Sequence, residues 1–288
     1  MASLRVLITG CLLVFCLRAP AQTAPTTNGL YAAFNTSKGT FYCNLRYDLT
    51  PRTVANFIGL AQGSKSWLDY PKAGLATNRP FYTNLLWHRV ISNFVIQTGS
   101  PNGLGTDDPG YTFLNEISPS LNHNSAGILA MANAGGTNSN GAQFYLTLSP
   151  QPSLNGSYTV FGSVVSGLNV VTNLGIVATD ANNKPLTNIY LNSVSILRIG
   201  TAASNFNINA VSPALPVPRF KTNLLTHAAG RYSINWTQST NSEYRLLYGS
   251  DLKNWTSAYL GAYSGAYVDY FVTNAPRTFF TTIESHID

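Results

Sequence analysis

Residue types that carry nucleophilic, proton-transfer or metal chemistry are sparse in this chain, and where they occur their spacing is wrong for it. His88, His123, His227 and His286 are the four histidines. None stands in a metal-ligand motif with Cys, Asp or Glu, so neither a structural nor a catalytic metal is expected. No Gly-x-Ser-x-Gly elbow is present to expose a nucleophilic serine. Of three thiols, Cys11 and Cys16 fall in an N-terminal apolar run, and Cys43 falls in an alternating segment that reads as a strand, where a thiol behaves as a small buried hydrophobe. The glycine-rich run from Ala134 to Gly141 lacks the lysine and the following helix of a phosphate loop and reads as a tight β turn. No cofactor is expected. The chemistry left open is of a kind that needs no nucleophile, metal or proton relay.

The elements that would position such a site are mainly strands. Residues 1–21 have the layout of an export signal, with Arg5 at the positive start, an apolar stretch from Val6 to Leu17, and Ala19-Pro20-Ala21 as a small-residue cleavage site. Acylation at Cys11 is the alternative for this segment. Cleavage after Ala21 would leave Cys43 as the lone thiol, so no intrachain disulfide is expected, which suits an exported protein of a bacterial periplasm, cell surface or exterior. Residues 28–200 alternate in short runs, among them Tyr31 to Phe34, Thr40 to Leu45, Phe94 to Gln97, Gly127 to Ala132, Gln143 to Leu148, Thr159 to Val164 and Val194 to Ile199. Turn residues separate them, which predicts an antiparallel β architecture. Two segments have helical period instead. Pro51 to Gln62 starts at an N-cap Thr50, buries Val54, Phe57, Ile58 and Ala61, and stops at Gly63. Gly167 to Leu174 would place Leu168, Val171 and Leu174 on one face. Residues 201–218, polar and then proline-punctuated, read as a linker. Residues 219–288 alternate again and predict a small, sandwich-like all-β module. Tyr259, Tyr263, Tyr267 and Tyr270 within it suggest either a carbohydrate platform or ordinary cross-strand packing.

Composition narrows the partners. Charged residues make up 10% of the chain against roughly 25% in an average soluble protein, yet no apolar run beyond the N-terminus is long enough to span a bilayer. The net charge of +6 falls to +4 once Arg5 and Arg18 are removed, and no run of three basic residues occurs, so nucleic acid is not an expected partner. A monomer is expected.

Three stretches carry a specific resemblance. Phe81-Tyr82-Thr83-Asn84-Leu85-Leu86-Trp87-His88-Arg89-Val90-Ile91, running on to Phe94-Val95-Ile96-Gln97-Thr98-Gly99, resembles the first cyclophilin signature. Gly127-Ile128-Leu129-Ala130-Met131-Ala132-Asn133-Ala134, followed by Asn138-Ser139-Asn140-Gly141-Ala142-Gln143-Phe144-Tyr145, is similar to the second. Leu154-Asn155-Gly156 with Tyr158-Thr159-Val160-Phe161-Gly162 is similar to the loop that closes the family's proline pocket. The resemblance implies an eight-stranded antiparallel β-barrel capped by two helices, and peptidyl-prolyl cis/trans isomerase activity on proline-containing peptides and unfolded proteins.

The same resemblance implies the site. Arg89 takes the place of the catalytic arginine, Phe94 and Val95 the floor of the proline pocket, and Gln97 the brace of the arginine. Gln97 returns to the face of Val95 two residues on, as strand geometry requires. Ala132, Asn133 and Ala134 correspond to the edge that binds the peptide preceding proline, and Gln143, Tyr145, Leu154 and Tyr158 complete the groove. Ser153 stands where many members carry a Trp or Phe that contacts cyclosporin, which implies weak sensitivity to that drug. Asp107-Asp108 replaces common glycines and reads either as a solvated turn or as a charge favouring basic substrates. Isomerisation suits this sparse residue inventory, because rotating an X-Pro bond requires only that the twisted amide be stabilised. The alternative is a module that binds proline peptides while the C-terminal domain supplies surface attachment or carbohydrate binding.

Overall fold

The computed structural model describes residues 22–69, 74–136 and 139–221, with the strand segments 224–228, 231–235, 242–249, 256–262 and 279–286. The export signal read at 1–21, the strand expected at 266–272, and Tyr263, Tyr267 and Tyr270 lie outside the described residues.

The first hairpin is β1 (Gly29–Thr36) and β2 (Gly39–Leu45), followed by α1 (Pro51–Gln62) and a short hairpin of β3 (Trp67–Asp69) and β4 (Gly74–Ala76). Then come β5 (Leu85–Leu86), β6 (Arg89–Ile91), β7 (Val95–Thr98), β8 (Ile128–Met131), β9 (Phe144–Thr147), β10 (Val160–Ser166), α2 (Leu168–Gly175), β11 (Tyr190–Ile199) and α3 (Thr201–Asn205). One antiparallel sheet runs in the order β5-β11-β1-β2-β10-β8-β9-β7-β6. Its two outermost strands are separated in the chain only by Trp87 and His88, so the sheet must curl until its edges approach. Taking β5 and β6 as one interrupted strand gives the eight staves of the expected barrel, and closure is what disposes of exposed strand edges.

Aromatic rings fill the interior. Phe34 stacks on Phe41 with centroids 4.7 Å apart, and Phe57 of α1 meets Phe144 edge-on at 5.6 Å and Phe161 at 5.4 Å. All are fully buried. The sequence places α1 well: Val54, Phe57, Ile58 and Ala61 are buried, and Gly63 ends the helix in the left-handed region at φ 75°. The N-terminal cap is different. Thr50 makes no side-chain bond to the helix, and the carboxylate of Glu116 accepts from the N–H groups of Arg52 (3.2 Å) and Thr53 (2.9 Å) instead. A carboxylate there satisfies two orphan donors and complements the helix dipole.

In α2 the buried face is Val170, Val171 and Leu174, while Leu168 is 43% exposed. Three-residue steps fall about 60° short of a full turn each, so an i, i+3, i+6 series drifts round the helix and its first member leaves the face.

Residues 201–218 are docked rather than free. Arg198 donates to the carbonyls of Ala203 (2.7 Å) and Phe206 (2.8 Å), Phe206 packs on Tyr47 at 5.1 Å, and Ile208 and Leu215 lie against the barrel core. The guanidinium of Arg52 donates to Pro213 O at 2.9 Å, and the ammonium of Lys65, 4.4 Å from the Tyr111 ring centre, donates to Pro216 O. The segment thus forms a strap over the outer side of α1, enclosing with it a cavity of about 270 Å³.

Beyond Pro218 the described elements are all strands: β12 (Arg219–Lys221), β13 (Leu224–Ala228), β14 (Arg231–Asn235), β15 (Ser242–Gly249), β16 (Thr256–Ala262) and β17 (Phe279–His286). They form an antiparallel sheet in the order β12-β17-β15-β16 and a separate β13-β14 pair. Among the described residues no helix is long and apolar enough to cross a membrane.

Candidate active site

Register builds the site. The residue pairs Arg89↔Gln97, Gln97↔Tyr145, Tyr145↔Ala130 and Ala130↔Val160 form one continuous row across β6, β7, β9, β8 and β10. Directly opposed residues of an antiparallel sheet share a face, so these five side chains lie together on one side of the barrel wall. The adjacent row of Val90, Ile96, Leu146 and Leu129 points into the aromatic core. The turn that joins β6 to β7 is tight, with Asn93 at φ 59° and Phe94 N–H bonded to Ile91 O at 3.0 Å. Phe94 and Val95 are thereby set at the end of the row's apolar half.

That half is a small hydrophobic cluster separate from the core. Val95, Ile128, Ala130, Tyr145 and Val160 are its buried members, and Phe94, Leu121, Ala132, Leu154 and Tyr158 pack around them half-exposed. Six residues expected from the sequence, namely Phe94, Val95, Ala132, Tyr145, Leu154 and Tyr158, therefore meet in one place. The Tyr158 ring stands edge-on to Tyr145, 5.8 Å between centroids.

The polar half is a one-directional hydrogen-bond chain. Arg89 Nη1 donates to Gln97 Oε1 (3.4 Å), Gln97 Nε2 donates to Gln143 Oε1 (3.0 Å), and Gln143 Nε2 donates to the carbonyls of Gly105 (3.0 Å) and Asp107 (2.9 Å). A guanidinium can only donate and a carbonyl can only accept, so the two ends fix the orientation of both amides between them. Gly105 approaches this chain closely: a Cβ there would lie 3.0 Å from His88 Nε2. His88 itself is held neutral, its pKa lowered to about 4 by burial first and by the charge of Arg89 second.

Ala132, Asn133 and Ala134 continue β8 past its last strand residue. Ala132 N–H donates to Gln143 O at 2.9 Å, Asn133 Nδ2 donates to Ser157 O at 3.1 Å, and Ala134 is exposed. With Gln97, Gln143 and the 105–108 loop they line a cavity of about 440 Å³ beside the apolar cluster. Asp107 and Asp108 border that cavity as turn caps. The Asp107 carboxylate accepts from Ser100 Oγ and from Asn102 N–H (2.7 Å), and Asp108 accepts from Gly110 N–H (2.7 Å). Burial nonetheless raises the Asp107 carboxyl above the usual carboxylate range. Cys43 is fully buried in the core and its thiol is pushed well up, as expected of an inert residue.

Sequence reasoning passed over two residues that touch the cluster. His123 is fully buried with Nε2 2.9 Å from the Tyr145 hydroxyl, and Asn155 Oδ1 lies 3.1 Å from His123 Nδ1. One signal was available: a buried tyrosine hydroxyl needs a partner. Nothing local, however, names a residue 22 positions upstream.

Comparison with known proteins agrees with this geometry. The family model "Cyclophilin type peptidyl-prolyl cis-trans isomerase/CLD" matches residues 31–196. Peptidyl-prolyl cis-trans isomerase-like 1 of Aspergillus niger is 41% identical over 160 residues, covering 54% of this chain and 88% of that protein. Peptidyl-prolyl cis-trans isomerase A of Mycobacterium tuberculosis is 40% identical over 167 residues, covering 57% and 91%. The crystal structure of a Cryptosporidium parvum cyclophilin type peptidyl-prolyl cis-trans isomerase superposes with a TM-score of 0.51 at 29% identity, over 59% of this chain and 98% of that one. A curled antiparallel sheet, a row that joins an arginine to an apolar pocket, and a family match over more than half of the sequence lead to one assignment: the chain belongs to the cyclophilin-type peptidyl-prolyl cis-trans isomerases.

Proposed function

We propose that the protein isomerises X-Pro bonds of exported or extracellular polypeptides and that Arg89 supplies the decisive interaction. The barrier to rotation, about 18–20 kcal/mol, is the cost of breaking amide resonance. In the twisted amide the prolyl nitrogen regains a lone pair, and a donor placed against it lowers the barrier, each 1.4 kcal/mol or so giving a factor of ten. The observation that carries this reading is the position of Arg89 at the polar end of the Arg89-Gln97-Tyr145 row, where the apolar end can seat a proline ring. Gln97 braces one guanidinium nitrogen through a long bond of 3.4 Å, and Gln97 is its hydrogen-bond partner among the described residues. An arginine stays charged at any pH of interest, which a histidine would not. The backbone of Ala132, Asn133 and Ala134 would pair with the residues that precede proline, main chain giving affinity and pockets selectivity. The low content of ionisable groups fits such a mechanism, since no acid or base takes part.

Export rests on the signal-like layout of residues 1–21 and on the single thiol that would remain after it. A role for the C-terminal strands in surface attachment or glycan binding is the accompanying proposal, tested by removing residues 219–288 and measuring localisation and glycan binding.

The isomerase mechanism is tested by proline-limited refolding of a substrate protein with the wild type and Arg89→Ala. Loss of about two orders of magnitude in kcat/KM, equivalent to about 2.7 kcal/mol, with an unchanged melting temperature is the expected result. Equal rates for the two proteins would remove the arginine mechanism.

A further inference from the structure

The Tyr145 hydroxyl is an anomaly of the apolar cluster: a polar group on a ring that is 4% exposed, in a pocket whose other buried members are Val95, Ile128, Ala130 and Val160. Its hydrogen-bond partner among the described residues is His123 Nε2 at 2.9 Å. The tautomer follows from the other side of the ring. Asn155 Oδ1 already accepts from His123 N–H at 2.7 Å and lies 3.1 Å from Nδ1, while Asn155 Nδ2 is directed to Asn124 Oδ1 at 3.2 Å. An amide oxygen can only accept, so Nδ1 carries the hydrogen and Nε2 is left as the acceptor for Tyr145. Asn155 directly follows Leu154, which forms part of the pocket wall, and Gln151 N–H binds His123 O at 2.7 Å on the near side of the same short helical turn, residues 152–154. One imidazole thus fastens the pocket floor on β9 to the loop that carries its wall.

We propose that His123 is a positioning residue of the proline pocket, and that peptide affinity depends on its ring being neutral. This rests on the isomerase reading of the site and adds a form of regulation to it. The reason is donor counting. A proton added at Nε2 makes both ring nitrogens donors, so the Tyr145 hydroxyl must turn its own hydrogen away from the imidazole, toward a pocket whose other buried side chains, Val95, Ile128, Ala130 and Val160, offer carbon alone. A buried donor without an acceptor is costly, and the strain is relieved by letting the 154–155 loop part from Tyr145. The pocket is then less well formed for a proline ring. Arg89 takes no part in the His123–Tyr145 contact, so binding weakens while the chemical step is left alone.

The surroundings favour this state of the ring. Burial lowers the pKa of His123 from its usual value, opposed by the bond to Asn155, and no charged side chain is among the causes. The titratable groups on its side of the pocket are Tyr145, whose phenol burial has pushed far above neutrality, and beyond it Tyr158. The ring is therefore neutral at pH 7 and above, and affinity falls as pH drops through the acid range below the usual histidine pKa of about 6.5.

The test is the dissociation constant of a short Ala-Pro tetrapeptide for the full chain, measured by fluorescence or NMR from pH 7.5 to 5 without reference to turnover. Wild type should weaken by about three- to tenfold across that range, the size of one net hydrogen bond, and His123→Gln, which cannot titrate, should hold a flat profile. Arg89→Ala separates this inference from the mechanism on which it rests: it should lose turnover yet keep the wild-type dependence of affinity on pH. In the wild type the His123 ring-proton chemical shift should titrate with the same midpoint as affinity, a measurement that stands even where a variant folds poorly. A wild-type affinity that is flat to pH 5, a His123→Gln profile with the wild-type slope, or distinct midpoints would each overturn the proposal.

Discussion

Two hydrophobic clusters share the barrel wall and differ in almost every physical respect. The inner one is built of large rings, Phe34, Phe41, Phe57, Tyr82, Trp87, Phe144 and Phe161, all fully buried and in contact with one another. The outer one has a buried floor of mostly small side chains and a rim of Phe94, Leu154 and Tyr158 left half-exposed. Both arise from the same strands, because period-2 alternation gives Ile96 and Leu146 to one cluster and Val95 and Tyr145 to the other. A closed cluster repays burial with stability. An open one has apolar area still to be covered, and a proline ring can cover it. The lesson is that folding and binding draw on separate residues here, so that each can be altered alone.

The largest effect that would break this division is expected inside. Phe57→Ala empties the centre of the ring cluster and should cost about 3–5 kcal/mol of stability, read from a denaturant midpoint, while the specific activity of the molecules that remain folded is preserved. A fall in activity per folded molecule would show that the two clusters are coupled. On the outside, Phe94→Ala should lower kcat/KM by about ten- to fiftyfold, the scale of one aromatic contact to a bound ring, and shift the melting temperature little because Phe94 is already half in solvent.

Smaller still is the effect expected from Lys65, which lies under the strap on the outer side of α1, its ammonium over the buried Tyr111 ring. Burial lowers its pKa from 10.5 to about 7. The folded state then binds fewer protons than the unfolded state between those values, so stability should rise as pH climbs from about 7 toward 9, with a slope below about 1.4 kcal/mol per pH unit. Lys65→Met should flatten that slope and leave peptide affinity unaffected, whereas titration of His123 moves affinity. The two measurements together place one titrating group behind each cluster.

Much of this was legible in the sequence because it is local. Helix α1 announces itself through Pro51, its apolar spacing and Gly63, and the site row follows from two signatures in which Arg89, Gln97 and Tyr145 keep fixed spacings. What escaped is joined only through space. Glu116 caps a helix that begins 65 residues earlier in the chain. His123 and Asn155 meet across 32 positions, and neither belongs to a periodic pattern. The strap was read as a linker since its composition, rich in Pro, Asn and Ser, is that of a tether, and the few apolar residues that dock it, Phe206, Ile208 and Leu215, are too widely spaced to signal an element.

That strap bears on where the protein can be cut. The family match ends at residue 196, yet the outer side of α1, the helix that delivers Phe57 to the barrel centre, is roofed by residues 206–218. A fragment ended at residue 200 would leave Ala55, Gly59 and Lys65 newly wet, and would shed Leu215 from the core. A fragment ended at Pro218 is therefore expected to unfold at a higher temperature than one ended at residue 200, a comparison that thermal melting of the two fragments checks.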